Sequence, residues 1–356
     1  MAGSPDTTRK PAGAHRTPSA VVRLALDRGP GRMLLGTLGT LALCALPVAQ
    51  PPAHAAASHV RPAAGPLLPQ EVAAAARVRA PLPPSPHVGT EPAPGCGRWR
   101  AGTYAVGRTD PVLVSTCRTA TGFTAYVAWI DHTATRLALY PGLSDPSYAV
   151  PRGTGEIPSG QRWRLLAAFN SGFKTTAGAG GFLVNGHVDD RLKNGLGTLV
   201  ETRDGGLAIL DWRGRTSPAT LVLARQNLPP LVWNGRPNAT VGDVPAWGAT
   251  LGGGAAVWRT AVGLTANGDL VYAAADAQTP ASLASLMIRL GAVRAIELDI
   301  NPEWPSFVTY RRRGGADPDK LVPNPQERSD RYLTPDSRDF FVVYTRAGSG
   351  PSVPFH

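Results

Sequence analysis

Phe, Tyr and Trp are absent from the first 98 residues of this 356-residue chain, although the whole sequence contains eight of each. A segment without aromatic side chains buries little apolar area, which is not enough to offset the entropy lost when the segment is ordered. Aromatic residues begin at Trp99 and continue to the end of the chain. We therefore expect one globular domain that begins near Cys96.

The sequence also lacks an apolar run of the roughly 20 residues that a membrane span needs. The nearest candidate, residues 33–48, follows six basic residues and is interrupted by Pro47. Residues 53–55 (Ala-His-Ala) give the small-x-small pattern that signal peptidase accepts. We predict a signal peptide at 1–55 and a secreted or envelope-associated protein without a stable membrane span after cleavage. An uncleaved signal anchor is the alternative.

Residues 56–95 consist largely of Ala and Pro. Proline favours extended, semi-stiff polyproline conformations and cannot build a packed core by itself. We predict a disordered exported leader made of the signal peptide and this spacer. The remaining residues, 96–350, then form a single domain.

Cysteine is scarce, with only Cys44, Cys96 and Cys117 in the chain. Cys44 is removed with the signal peptide. No His or third Cys lies at zinc-ligand spacing from the other two, which argues against a metal role for them. Two cysteines in an exported domain commonly form one disulfide, and we predict the bond Cys96–Cys117 in the first hairpin.

The chain carries a formal net charge of +11. The first 55 residues hold six basic and two acidic residues, so the rest has 30 basic against 23 acidic residues, a net charge of +7. A basic exported domain suits anionic surroundings such as wall polymers or phosphate-bearing glycans, although a solvated basic surface is the simpler alternative. We predict no nucleic-acid partner, because no recognition motif accompanies the charge.

Most of the domain has the pattern of β-strands. Two turn signals, residues 203–206 (Arg-Asp-Gly-Gly) and 267–268 (Asn-Gly), lie between strand-like runs and predict hairpins. One helix is expected over residues 280–290, with Thr279 as its cap and Gly291 after its end. A strand over 293–300 follows. The fold class is therefore α+β, a strand-rich mixed sheet with few helices.

Carboxylates are concentrated at the end of that last strand. Alternation along the strand places Glu297 and Asp299 on one face, and Glu303 follows on a loop beside Trp304. Two nearby carboxylates can divide into an acid and a base when one pKa is raised. A solvated strand face is the alternative, but Trp304 offers a surface on which a sugar could stack.

Four further positions could bind a substrate. Asn170 and Lys174 flank a turn of small residues, Arg259 lies in an apolar strand where it needs an anionic partner, and Asp276 ends a strand. An internal salt bridge is the alternative for Arg259, an ordinary turn for Asn170 and Lys174, and a turn or helix-start acid for Asp276. We predict no cofactor and no metal, although the aspartates of loop 314–319 could hold Ca²⁺.

The ordered set of motifs resembles the phosphodiester glycosidase family, over about residues 160–310. Residues 170–173 (Asn-Ser-Gly-Phe) match the family's Asn-Gly-Gly-Phe with Ser171 in place of a glycine. Residues 259–263 match its Arg-Thr-Ala-x-Gly. Its Asn-Leu-Asp-Gly-Gly-Gly-Ser is matched in part at 297–303, where Leu298 and Asp299 agree and an acidic, proline-containing loop replaces the glycines.

The resemblance implies hydrolysis of a sugar from a phosphodiester at its anomeric carbon, with a phosphate-bearing glycan or wall polymer as substrate. Asp299 would stabilise the oxocarbenium-like sugar or act as base toward water, with Glu297 or Glu303 as its partner. Arg259 and Lys174 would stabilise the phosphate, and Asn170 and Asp276 would orient the substrate. A non-catalytic glycan-binding protein and an exported scaffold protein are the alternatives.

Overall fold

The computed structural model describes residues 85–146, 153–248 and 253–346. The predicted signal peptide and most of the predicted spacer lie outside these residues. Residues 85–95 are described, and the Gly89 amide donates to Trp99 O (2.9 Å) while the Trp99 amide donates to Thr90 O (2.6 Å). Residues before Cys96 therefore hydrogen-bond to Trp99, which the Ala/Pro-rich composition does not reveal. The domain start near Cys96 stays a prediction.

The described part of the chain contains eighteen strands and one α-helix. In chain order they are β1 Arg100–Ala101, β2 Val112–Arg118, β3 Thr124–Ile130, β4 Thr135–Tyr140, β5 Leu165–Asn170, β6 Phe182–Val184, β7 His187–Asp190, β8 Gly197–Thr202, β9 Leu207–Asp211, β10 Leu221–Gln226, β11 Val232–Trp233, β12 Arg236–Pro237, β13 Val257–Thr265, β14 Leu270–Gln278, α1 Pro280–Arg289, β15 Ala292–Glu297, β16 Phe307–Arg312, β17 Ala316–Lys320 and β18 Phe340–Thr345.

The strands form three sheets. The first has eight strands in the order β1-β2-β3-β14-β13-β15-β11-β12, the second has the order β7-β6-β10-β8-β9, and the third has the order β17-β16-β5-β18-β4. Every strand pair in the described residues is antiparallel. The strand-rich, helix-poor α+β class is confirmed, but the sheets are antiparallel where the sequence led us to expect a mixed sheet.

Both predicted hairpins are present. Strands β8 and β9 pair across residues 203–206, and β13 and β14 pair across the Asn-Gly turn. Gly205 and Gly268 each have a φ of 90°, a left-handed conformation that glycine adopts without the steric cost of a Cβ. The turn chemistry visible in the sequence therefore fixes these two connections.

Helix α1 begins and ends as predicted from its caps. Thr279 Oγ1 accepts from the Ser282 amide (3.2 Å) and Ser282 Oγ accepts from the Thr279 amide (2.9 Å), which completes a capping box. Leu283 and Met287 are fully buried and pack with apolar residues of the first sheet. No helix within the described ranges is long and apolar enough to cross a membrane.

The main core lies where the three sheets meet. Val262 and Ile296 of the first sheet, Leu223 of the second, and Phe169 and Phe341 of the third belong to one buried cluster. Burial of such side chains is worth about 1.5–3 kcal/mol each. On the other face of the first sheet, α1 packs against β13, β14 and β15, so these central strands are buried on both sides.

Strand register brings three segments to one edge of the core. Strand β5 lies between β16 and β18, with Phe169 opposite Phe307 and Asn170 opposite Phe340. Because both pairings are antiparallel, the residues just before β16 and β18 lie beside the residues just after Asn170. The segment that follows β15 lies at the same edge, because the Asp299 amide donates to Ser171 O (3.1 Å).

Strand β15 is shorter than predicted. It ends at Glu297, whereas the pattern indicated a strand to residue 300. The backbone of Leu298 still donates to Thr260 O (2.7 Å), but that of Asp299 turns to the loop after β5. The alternation of residues 296–300 therefore does not place Glu297 and Asp299 in one environment.

The predicted disulfide Cys96–Cys117 is present. It ties the segment before β1 to β2, across 21 positions of sequence. Cross-linking a loop of this size stabilises a fold by about 3 kcal/mol in the chain-entropy description.

We predict that the double variant Cys96→Ser/Cys117→Ser loses about 3 kcal/mol of unfolding free energy, because its unfolded chain regains the loop entropy. Urea denaturation of the domain from residue 85 onward, followed by tryptophan fluorescence, measures the loss. A reducing agent should lower the stability of the wild-type domain by a similar amount and leave the double variant unchanged. Equal stability of the two oxidised proteins would contradict this prediction.

Candidate active site

A cleft of about 560 Å³ opens at the edge where β5 and β15 end. It is lined by residues of the loops that follow these two strands and by one residue that precedes β18: Phe173, Lys174, Thr176, Ala177, Asp299, Ile300, Asn301, Glu303, Trp304 and Arg338. Four of the residues predicted from the sequence, Lys174, Asp299, Glu303 and Trp304, thus lie in one cleft although they are far apart in the chain.

Asp299 is the most buried carboxylate of the cleft lining, with a residue exposure of 5%. Its Oδ2 accepts from Arg338 Nη2 (2.5 Å) and its Oδ1 accepts from the Asn301 amide (2.9 Å). Burial raises the pKa of Asp299 above its ordinary value, while the positive charge of Arg338 acts in the opposite direction. One guanidinium and one backbone amide therefore anchor its two oxygens.

Arg338 contacts three separate segments. Besides Asp299, its Nη2 donates to Gly172 O (2.9 Å), as the antiparallel register of β5 and β18 requires. Its Nη1 lies 3.0 Å from Asp145 Oδ2, an ion pair by distance that lacks hydrogen-bond geometry. Its guanidinium also lies 5.4 Å from the ring centre of Trp304.

A second buried ion pair lies behind the first. Arg225 and Asp339 are both fully buried, and Arg225 Nε donates to Asp339 Oδ2 (2.8 Å). Arg225 also donates through Nη2 to Phe173 O (2.6 Å). The cleft loop 170–174 is therefore held by Arg338 at Gly172 and by Arg225 at Phe173.

The loop that carries Glu303 and Trp304 is fixed from outside the cleft. Asn324 Nδ2 donates to Glu303 O (3.0 Å), and to Pro302 O and Pro305 O at longer distances. Arg331 lies 5.3 Å from the Trp304 ring centre. This loop replaces the family's glycines, and its support makes it a stiff wall with an exposed carboxylate at Glu303.

Lys174 is exposed at the opposite wall. Its ammonium has no salt-bridge partner within the described ranges, in contrast to Arg225 and Arg338. It is therefore the cation of the cleft that can meet an anionic ligand without breaking an ion pair.

Asn170 does not line the cleft. Its Oδ1 accepts from Tyr272 Oη (2.9 Å) and the Ser306 amide (3.2 Å), and its Nδ2 donates to Thr260 Oγ1 (3.0 Å) and Ser171 O (3.0 Å). The amide thus joins the strand ends beneath the site. Its predicted contact with a sugar has no support in this geometry, because the side chain is buried and fully bonded.

Arg259 and Glu297 also lie outside the cleft. Both are fully buried, and Arg259 Nη1 donates to Glu297 Oε1 (2.5 Å) and to Trp247 O (3.0 Å). The geometry corresponds to the internal salt bridge, with Glu297 as partner. Burial raises the pKa of Glu297 to about 7, and Arg259 opposes that rise. The predicted roles of Arg259 as phosphate ligand and Glu297 as catalytic partner receive no support from their positions.

Asp276 likewise does not line the cleft. Its Oδ1 accepts from the Ala277 amide (2.6 Å), at a point where the pairing of β13 with β14 shifts register. Loop 314–319, whose aspartates could hold Ca²⁺ on the sequence alone, is in part strand β17, and Asp319 pairs with Arg311 (2.5 Å). Neither Asp276 nor loop 314–319 lies in a cluster of unpaired side chains that could bind a ligand, as far as the described residues go.

Outside the cleft, Asp131, His132 and Asp269 lie close enough together to share a metal ion. Their carboxylates already accept bonds from nearby groups, including the Thr133 amide on Asp131 and His132 Nδ1 on Asp269. We therefore assign no metal to this cluster.

Sequence reasoning missed Arg225, Asp145, Arg338 and Asp339. The last two directly precede the apolar run of β18, and charged residues beside a buried strand are expected to need partners. That signal indicates a buried pair, but it does not say which carboxylate is the partner, because strand register is decided by the whole sheet.

The comparison with protein families gives one match, to the model described as phosphodiester glycosidase, over residues 164–299. This stretch of the chain is thus similar to phosphodiester glycosidases. The match ends at Asp299, so it includes Lys174 and Asp299, whereas Glu303, Trp304 and Arg338 lie beyond it.

Solved structures show distant similarity. The catalytic domain of zebrafish N-acetylglucosamine-1-phosphodiester alpha-N-acetylglucosaminidase is 15% identical, with a TM-score of 0.43, over 70% of this chain and 88% of that chain. A hypothetical protein from Synechocystis is 13% identical, with a TM-score of 0.42, over 67% of this chain and 63% of that chain. Among curated proteins, none matches the sequence significantly.

The Arg259–Glu297 pair generates a stability prediction. We expect Arg259→Met to lower the free energy of unfolding by about 3–5 kcal/mol, because it leaves a buried carboxyl without its cation. The pKa of Glu297 then rises further above its ordinary value. A raised folded-state pKa costs stability as pH rises through it, so the deficit should grow above about pH 7. Denaturation curves at several pH values measure both effects.

Two comparisons control this prediction. Arg259→Met/Glu297→Met removes both charges and should recover much of the lost stability. Arg311→Met breaks an exposed pair and should change the unfolding free energy by about 1 kcal/mol or less. A small, pH-independent effect of Arg259→Met would show that the buried pair is not important for folding.

Proposed function

We propose that this protein is an exported hydrolase that releases a sugar from a sugar-1-phosphodiester in a glycan or cell-envelope polymer. The observation that carries the proposal is the cleft in which Asp299, at the end of the phosphodiester glycosidase match, lies with Lys174, Glu303 and Trp304. Carboxylates, a cation and an aromatic ring in one cleft are the groups that cleavage of a phosphorylated sugar uses.

The leaving group determines which kind of catalysis the cleavage of the anomeric C–O bond needs. When the anomeric C–O bond breaks, the phosphomonoester leaves with the electron pair, and its second pKa near 6 makes it a stable anion. It therefore needs less protonation than a sugar hydroxyl does. Lys174, whose ammonium has no salt-bridge partner among the described residues, lies at the cleft wall and would stabilise the developing negative charge.

The sugar side needs negative charge. Asp299 is held in one orientation by Arg338 and the Asn301 amide, so its carboxylate can stabilise the positive charge that develops on the sugar ring. Water supplies the hydroxyl that remains on the sugar, and Glu303, which is exposed in the same cleft, is our candidate for the base that takes its proton. Trp304 offers the ring face for the sugar.

Export and the polymeric substrate rest on the sequence. The predicted signal peptide lies outside the described residues, and the basic balance of the remaining chain suits a phosphate-bearing polymer. The loss of the family's glycines at 300–303 favours one competing function, glycan binding without turnover. In that case the stiff 300–304 loop would prevent the transition state from fitting.

The experiment is hydrolysis of a panel of sugar-1-phosphodiesters by the domain that starts at residue 85, with free sugar as the measured product. We predict turnover by the wild type and a loss of about 100-fold or more in kcat for Asp299→Asn, since the variant lacks the negative charge that stabilises the sugar cation.

The matched control is Asp319→Asn, which alters an exposed ion pair. It should retain wild-type activity, and circular dichroism should show that all three proteins are folded. If the wild type binds members of the panel but releases no sugar, the hydrolase proposal is wrong and the binding function takes its place.

A further inference from the structure

Among the described residues, Arg338 is the one guanidinium that lines the cleft, and it lies outside the family match. It is 5% exposed and reaches the site from the residue pair that precedes β18. Its Nη2 serves Asp299 Oδ2 and Gly172 O together, so both hydrogen bonds have one donor atom. A single side chain thus joins the carboxylate to the backbone of the opposite cleft wall.

The Asp299 carboxylate depends on this contact. Of its two oxygens, Oδ1 accepts from the Asn301 amide and Oδ2 accepts from Arg338. Without Arg338, Oδ2 loses its charged donor and the side chain can rotate about its terminal bond. No other Lys or Arg within the described ranges forms a salt bridge with Asp299.

Several charged side chains surround Asp299. Arg338 is the nearest cation, and Asp145 shares that cation from the other side. Asp339 adds negative charge but is itself paired with Arg225. Glu297 lies two residues before Asp299 in the sequence and is paired with Arg259. Lys174 and Glu303 face the cleft.

We propose that Arg338 is the positioning residue of this site, which holds the Asp299 carboxylate ionised and oriented toward the sugar through an ion pair that it shares with Asp145. The role deepens the hydrolase function proposed above and rests on it. Arg338 acts through Asp299. Its guanidinium is engaged by two carboxylates and a carbonyl, so it is not the group that meets the phosphate.

The shared ion pair makes two predictions of opposite sign. Removal of the Arg338 charge should raise the pKa of Asp299 further, because an opposite charge within 4 Å favours the ionised carboxyl. Removal of the Asp145 charge should lower the pKa of Asp299, because a nearby negative charge is lost. If Arg338 and Asp145 only supported the fold, their substitutions would not shift the pKa of Asp299 in opposite directions.

The experiment compares Arg338→Gln, Arg338→Lys and Asp145→Asn with the wild type, and uses Arg311→Gln as a surface control. We expect Arg338→Gln to lower kcat by about 10–100-fold with a smaller change in KM. The acid limb of its kcat/KM profile should move to higher pH. Arg338→Lys should recover part of the rate and most of the pH shift, and Asp145→Asn should move the limb to lower pH. Arg311→Gln should match the wild type.

A second readout does not need turnover. ¹³C NMR titration of protein labelled at the Asp carboxyl carbons, with Asp299→Asn to assign the signal, gives the pKa of Asp299 directly in each variant. Opposite shifts in Arg338→Gln and Asp145→Asn support the positioning role even if the wild type cleaves no substrate, which would contradict only the hydrolase function. An unchanged pKa of Asp299 in folded Arg338→Gln and Arg338→Lys would overturn the proposal.

Discussion

The ion pair between Arg338 and Asp299 joins two parts of the chain that belong to different sheets. Asp299 follows β15 of the first sheet, and Arg338 precedes β18 of the third. Both residues are nearly buried, so neither charge could be kept there without the other. Three interactions hold the strand ends together at the cleft edge. They are this ion pair, the hydrogen bond from the Asp299 amide to Ser171 O, and the hydrogen bonds of the Asn170 side-chain amide.

Each buried charge near the site is balanced in this way. Arg225 with Asp339 and Arg259 with Glu297 form two further pairs in which both side chains are fully buried. The guanidinium groups of these pairs are already bound to carboxylates, so in the proposed function an anionic ligand in the cleft would meet Lys174 instead. The division also separates two tasks: buried arginines fix the loops and the carboxylate, and an exposed lysine remains available. Asn324 supports the 300–304 wall of the cleft through hydrogen bonds to Pro302 O and Glu303 O.

Much of the fold could be predicted from local signals. The Asn-Gly turn, the Thr279 cap and the alternating runs determine their own structures, because their causes lie within a few residues. The site was predicted only in part. Asp299, Glu303 and Trp304 are close in sequence and come together in space, and Lys174 joins them because β5 ends at the same edge. The contacts of Asn170, Arg259 and Glu297 could not be foreseen, because they depend on register across the sheets. Arg338 was missed for the same reason: its place opposite Gly172 follows from the pairing of Asn170 with Phe340.

The central claim is that the bond broken is the one between the anomeric carbon and oxygen, and hydrolysis in H₂¹⁸O tests it most directly. If the anchored Asp299 carboxylate faces the sugar as proposed, the solvent oxygen enters the sugar. Mass spectrometry should then find ¹⁸O in the released sugar and none in the phosphomonoester. Label in the phosphomonoester would show attack at phosphorus and would contradict the account, because Asp299 would then have no cation to stabilise.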